Sequence, residues 1–209
     1  MKRFQVTCTG ISPLLMNPAS DELIEQLRTK TTARKRTDWS AQEEAAVKLY
    51  VDDDGKCGIP VENLLASLVE AGRKVPLSGR TKVSTAKTTE LFSFLSIDEQ
   101  FMPFPDEFQD WRVDKRRGRN PNGGEMVALV RPRFDHWSIT FTVNIDDTLI
   151  NDVNVKSLIE IAGRSVGLCD FRPGCRGPFG RSMVTVWEPI DDLVDVSGNG
   201  HRELAEAIS

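Results

Sequence analysis

The stretch Trp137-Ser138-Ile139-Thr140-Phe141-Thr142-Val143-Asn144-Ile145 alternates apolar and polar residues along its length. A period of two marks a strand with one buried face, here Ile139, Phe141, Val143 and Ile145. Just downstream the period changes. Val155, Leu158, Ile159, Ala162 and Val166 recur at helical spacing, which predicts a helix over 154–166 opened by Asp152 or Asn154. A glycine-rich loop, 167–181, then leads to a closing strand, 182–188, with Met183, Val184 and Val186.

Upstream, Phe4, Val6 and Cys8 alternate within a first strand, 3–12. Pro60 suits the first turn of a helix, 60–72, whose apolar face is Leu64, Leu65, Leu68 and Val69 and which Gly72 is placed to end. Leu91 to Ile97 read as a further core strand, and the basic stretch 73–90 reads as a loop. The order is therefore β-α-β-β-α-β, an α+β chain of ferredoxin-like, RRM-type layout. Two large insertions, 17–59 and 98–136, interrupt it, and a rigid sheet commonly holds its binding surface on such loops. In the first, Ser20 caps a short helix with Leu23, Ile24 and Leu27, and Ser40 with Glu43 forms a capping box that opens a helix to about Leu49. Residues 49–51 and 57–59 flank the turn Asp52–Lys56 as a small hairpin. The second insertion is a long excursion, partly a β-ribbon that resumes at Met126–Val130. Residues 1–188 are expected to form a single domain, followed by an acidic, mobile tail, 189–209.

The 209 residues are 39% hydrophobic and 28% charged, enough for a sizeable core. No apolar run approaches the roughly 18 residues of a membrane span, and the N-terminus lacks the apolar segment of a secretory signal. The expectation is a cytoplasmic protein with no membrane partner. None of Cys8, Cys57, Cys169 and Cys175 forms a C-x-x-C pair, and His136 and His201 are the only histidines. Neither a metal nor another cofactor is expected, and the thiols are expected to be reduced.

Net charge is −4, yet the cations are segregated. Arg28 to Arg36 and Arg73 to Lys87 contain no acid, and Arg112 to Arg133 holds Arg112, Lys115, Arg116, Arg117, Arg119, Arg131 and Arg133 against Asp114 and Glu125. Such patterning gives an acidic protein a basic face, although separate solvated loops would read the same way. The loop 167–181 adds Arg172, Arg176 and Arg181 to a run of glycines that includes Gly177 and Gly180. Its N–H groups are candidates for an anion-binding nest, and Phe171 and Phe179 for base stacking. The loop follows a helix and precedes a strand, the reverse of a dinucleotide fingerprint, and it lacks the Gly-Lys-Ser/Thr of a Walker loop.

Gly177-Pro178-Phe179-Gly180-Arg181, just before the last strand, resembles the glycine-rich loop that ends proteins of the RAMP superfamily, the RNA-binding subunits of CRISPR effector complexes. Ile59-Pro60-Val61-Glu62-Asn63-Leu64-Leu65 is similar to the segment that opens the first core helix there, with Val61-Glu62-Asn63 where that family has Gly-Ser-Ser. The first strand with its Gly10-Ile11-Ser12-Pro13-Leu14-Leu15-Met16 close also resembles the opening strand, and the whole layout looks like that of uncharacterised phage and bacterial proteins. The resemblance implies a ferredoxin-like core with a protruding hairpin, RNA binding without strong sequence preference, and oligomerisation along the ligand or among effector subunits. The insertion 98–136 is then the hairpin, with Lys115, Arg116, Arg117 and Arg119 gripping phosphate and Trp111 or Trp137 stacking on bases, although Trp137 opens a strong strand and reads more simply as core.

Catalytic residues are not identified by the sequence. Asp135 and His136 are an acid–base candidate, but neighbours in a strand point to opposite faces. Asp21 and Asp38 lie where some RAMP subunits carry a catalytic aspartate, and Asp52, Asp53 and Asp54 more simply make a solvated turn than a cation site. The leading expectation is non-enzymatic binding of single-stranded RNA or DNA through Lys115, Arg116, Arg117, Arg119, Arg172, Arg176, Gly177, Phe179, Gly180 and Arg181. The competing classes are an endoribonuclease, a DNA-annealing protein and a protein-interaction subunit.

Overall fold

In the computed structural model, the structure describes residues 1–19, 24–25, 28–29, 39–119, 124 and 126–190. The strands are β1 (Lys2–Gly10), β2 (Leu14–Leu15), β3 (Gly58–Pro60), β4 (Pro76–Ser78), β5 (Thr81–Lys82), β6 (Leu95–Ile97), β7 (Phe101–Pro103), β8 (Arg112–Arg119), β9 (Met126–Phe134), β10 (Ser138–Ile145) and β11 (Ser182–Pro189). The helices are α1 (Ala41–Ala46), α2 (Val61–Gly72), α3 (Leu91–Phe94) and α4 (Asp152–Ile161), the last continued by a π-helical turn, Ala162–Val166. The fold is mixed α/β with antiparallel sheets.

The main sheet has the order β11-β1-β10-β6, all neighbours antiparallel. The alternation of β1 and β10 decides its burial: Phe4, Val6 and Cys8 lie inward with Ile139, Phe141, Val143 and Ile145. Leu64, Leu68 and Ala71 of α2 and Val155, Leu158 and Ile159 of α4 belong to the same buried cluster. Burying a side chain of this kind contributes about 1.5–3 kcal/mol. The helix α4 starts at Asp152, the earlier of the two expected positions, and Asn151 caps it by accepting from the Asn154 N–H at 2.8 Å.

A second sheet, order β2-β9-β8, is built on the hairpin of β8 and β9. Leu14 and Leu15 of β2 pair with Phe134 and Arg133 and carry the chain from the end of β1 onto this hairpin. The predicted capping box is formed, since the Glu43 N–H donates to Ser40 Oγ and the Ser40 N–H to the Glu43 carboxylate. The turn at Asp52–Lys56 is closed by the Val51–Cys57 bridge, while Gly58–Pro60 pairs with β7.

Two expectations are corrected. Residues 91–97 are not all strand, because Leu91 and Phe94 are buried at helical spacing and the Thr89 hydroxyl accepts from the Leu91 N–H at 3.2 Å, leaving only 95–97 in the sheet. Residues 73–90 are not all loop, because Gly79, at φ +55°, turns the chain between the short strands β4 and β5. The Ser20 cap, Leu23, Leu27, Asp21, Asp38, His201 and the tail from 191 lie outside the described residues. Among the described residues no helix is long and apolar enough to cross a membrane.

Candidate functional site

The glycine loop is held by the segment that leaves β1. The Asp170 N–H donates to the Leu15 carbonyl at 2.9 Å, the Gly180 N–H to Pro13 at 2.8 Å, and the Ile11 N–H to Arg181 at 2.8 Å. Two stretches from opposite ends of the chain, 10–16 and 167–181, thus form one unit. Inside the loop, Leu168, Phe171, Gly177 and Phe179 donate their N–H groups to the loop's own oxygens. Arg181 gives its N–H to Ser12 Oγ at 2.9 Å. The anion nest expected from the glycines is therefore not open, since most of its N–H groups already donate within the loop or to neighbouring segments.

The backbone is strained in the same place. Cys169, Phe171 and Arg176 have φ of 58°, 48° and 62°, a left-handed conformation that non-glycine residues seldom adopt and that costs about 1–3 kcal/mol each. Strain of this kind persists where surrounding contacts impose it, and here they come from the segment 10–16 and from the hairpin's arginines.

One face of the hairpin meets the loop. Arg116 holds both oxygens of Asp114 at 2.8 and 2.9 Å, and its guanidinium lies 4.6 Å from the centre of the Phe179 ring. Arg133 approaches that ring to 5.7 Å, and Arg131 the Phe171 ring to 5.9 Å. Arg131 is 3% exposed, pairs with Asp170 at 2.7 Å and Asp114 at 3.5 Å, and its Nε finds no partner. Asp114 and Arg131 face each other across the hairpin, so the register itself assembles this network. Phe179, only 6% exposed, is a ring already covered by arginine and not a free stacking face.

The other hairpin face is different. Lys115 and Arg117 alternate with Asp114 and Arg116, are exposed, and have no acidic partner among the described residues. Opposite them stand Val130 and Ala128 of β9. Arg119 pairs in register with Met126 at the hairpin's far end.

The expected site residues thus divide. Arg116, Phe179 and the loop glycines are joined, with the rings and glycines packed inward. Lys115, Arg117, Arg176 and Arg181 are exposed, the last donating its Nε–H to the Arg164 carbonyl at 3.1 Å. Arg172 turns toward α2, 3.7 Å from Glu70, and bonds Cys175 Sγ at 2.8 Å. Trp137 is core, its indole N–H donating to the Ser12 carbonyl at 2.9 Å. Asp135 and His136 sit in the bend between β9 and β10, not in a strand, and Asp135 is held by Arg112 and Arg133. Asp52 accepts the N–H groups of Asp54 and Lys56, which makes it the closing residue of a turn.

On the sheet face turned away from the helices, the central strands carry Gln5, Thr7, Thr9, Thr140, Thr142 and Asn144. Thr7 and Thr140 bond to each other at 2.9 Å. An RRM stacks bases on aromatic residues of this face, and these strands present none there. No protein-family model matches the chain, and no curated protein matches it.

Proposed function

We propose that this protein binds single-stranded nucleic acid, RNA in first place, without catalysing its cleavage, and that it does so on a ferredoxin-like core of RAMP type. The strand order β11-β1-β10-β6, with α2 and α4 in the two crossovers, supports the core. The observation that carries the binding reading is the hairpin: Lys115 and Arg117 stand exposed and unpaired on one face while the other face is fixed by Arg116 and Arg131 to the strained glycine loop. A rigid ribbon with period-two cations presents charge about every 7 Å along one edge, suited to following a phosphate backbone. Arg176 and Arg181 extend the basic surface on the loop. Oligomerisation along the ligand and membership of an effector complex are parts of the same proposal.

The test is the nucleic acid that accompanies the purified protein, followed by anisotropy titration with labelled single strands. Removal of bound material by RNase and not by DNase, with RNA bound more tightly than DNA, supports the reading. A preparation free of nucleic acid that also fails to bind either strand at low salt contradicts it.

A further inference from the structure

A cleft of about 370 Å³ opens at the root of the hairpin, between the 3-10 turn Asp106–Phe108 and the bend at Asp135 and His136. Phe108, Trp111 and His136 line it, the Phe108 and His136 rings 6.3 Å apart at 34°. Arg112 and Arg133, opposite each other in the hairpin register, both close on Asp135, at 2.9 and 2.7 Å. Two guanidinium groups converge on one carboxylate and form a cationic corner, in a lining where the carboxylates of Glu107, Asp110 and Asp135 outnumber the two arginines. Glu107 and Asp110, both exposed, supply carboxylates elsewhere on the lining. The cleft thus combines aromatic rings, an arginine pair and hydrogen-bond-accepting carboxylates in a volume at the small end for ligand pockets.

We propose that this cleft takes one nucleotide carrying an amino-bearing base. The base stacks on Trp111 and the Phe108–His136 pair, the phosphate is held by Arg112 and Arg133 in competition with Asp135, and Glu107 or Asp110 accepts from the exocyclic amine. Uracil, a smaller ring without an exocyclic amine, stacks less well on these rings and offers the carboxylate a single ring N–H, so it is expected to bind more weakly. The inference rests on the cleft alone and not on the hairpin's exposed face. A free mononucleotide and the 5′-phosphorylated end of a strand share this chemistry.

The experiment uses the full chain, equilibrium dialysis and tryptophan fluorescence, with AMP, UMP, adenosine and inorganic phosphate as probes. AMP is expected to bind about tenfold more tightly than each of the other three, and Arg112→Ala to weaken AMP by about the same factor. Trp111→Phe abolishes the fluorescence change on AMP binding, and Asp135→Asn, which removes the competing charge and keeps the side chain's shape, tightens AMP. A 5′-phosphorylated oligoadenylate that outbinds both AMP and its 5′-hydroxyl counterpart identifies the strand end as the source, and equal affinity identifies the free nucleotide. The Lys115→Ala/Arg117→Ala double variant retains AMP binding, so cleft and hairpin fail separately. Absence of AMP binding, or AMP binding that neither falls in Arg112→Ala nor tightens in Asp135→Asn, overturns the proposal.

Discussion

Gly180 shows how tightly single positions constrain the glycine loop. Its φ is +66°, and a Cβ there would stand 2.0 Å from the Leu168 carbonyl oxygen, which already accepts no such approach. Gly180→Ala should therefore cost about 3 kcal/mol or more, read as a lowered midpoint in urea denaturation with an unchanged slope. A variant as stable as the parent would mean that the loop relaxes freely. Gly177 is constrained in another way: it lies outside the left-handed region, but its Cβ would sit 1.8 Å from the Phe171 carbonyl oxygen. Close approach between two parts of one loop leaves no trace in residue order. The thiols give an independent check on burial. Burial pushes Cys8 and Cys169 up to about 12, the latter although part of that residue reaches the surface, whereas Cys175 is exposed. Near neutral pH the first two stay protonated and unreactive, so a thiol reagent should label Cys175 first, and Cys175→Ser should remove the fast phase. A fast phase that survives this substitution would place another thiol at the surface.

The hairpin carries both the buried ion-pair network and the exposed cations of the proposed binding face. Its existence was legible from the apolar run 126–130 after a charged, glycine-containing stretch, but its register was not, and register is what pairs Asp114 with Arg131 and sends Arg116 to Phe179. A lone acid in a basic run is the signal that marks such a network. The four basic residues of the tip are accordingly not equivalent. Lys115→Ala/Arg117→Ala should lower affinity for all single strands alike and shift the melting temperature little, because both side chains are exposed and unpaired. Arg116→Ala strips a partner from nearly buried Asp114 and uncovers Phe179, so it should destabilise the protein by about 1–3 kcal/mol. Urea curves for both variants beside anisotropy titrations check the contrast. A double variant that unfolds, or an Arg116 variant as stable as the parent, would reverse the assignment of the two faces. Short elements were the least legible: β4, β5 and α3 span two to four residues, too few for either period to register.

At the scale of the whole molecule, the order of long elements was read from periodicity alone, because β1, β10, α2 and α4 each bury one regular stripe. Of the candidate rings, Phe179 turned inward to pack, which its place in a glycine-rich loop did not announce, while Trp137 is core, as its place at the head of the strongest strand favours. On the proposed function, a chain of net charge −4 has to meet a polyanion. The exposed cations of the hairpin and glycine loop, with Arg73, Lys74, Arg80, Lys82 and Lys87 around β4 and β5, supply the opposing local charge. Each phosphate contacted on a single strand contributes about −0.7 to the slope of log K against log salt, so about five contacts give a slope near −3.5. The salt dependence of binding to a labelled single-stranded RNA therefore tests the central claim most directly. A slope near −3.5 that becomes shallower by about 1.4 in Lys115→Ala/Arg117→Ala is the predicted result. A slope indistinguishable from zero, or no binding at the lowest salt, would contradict it.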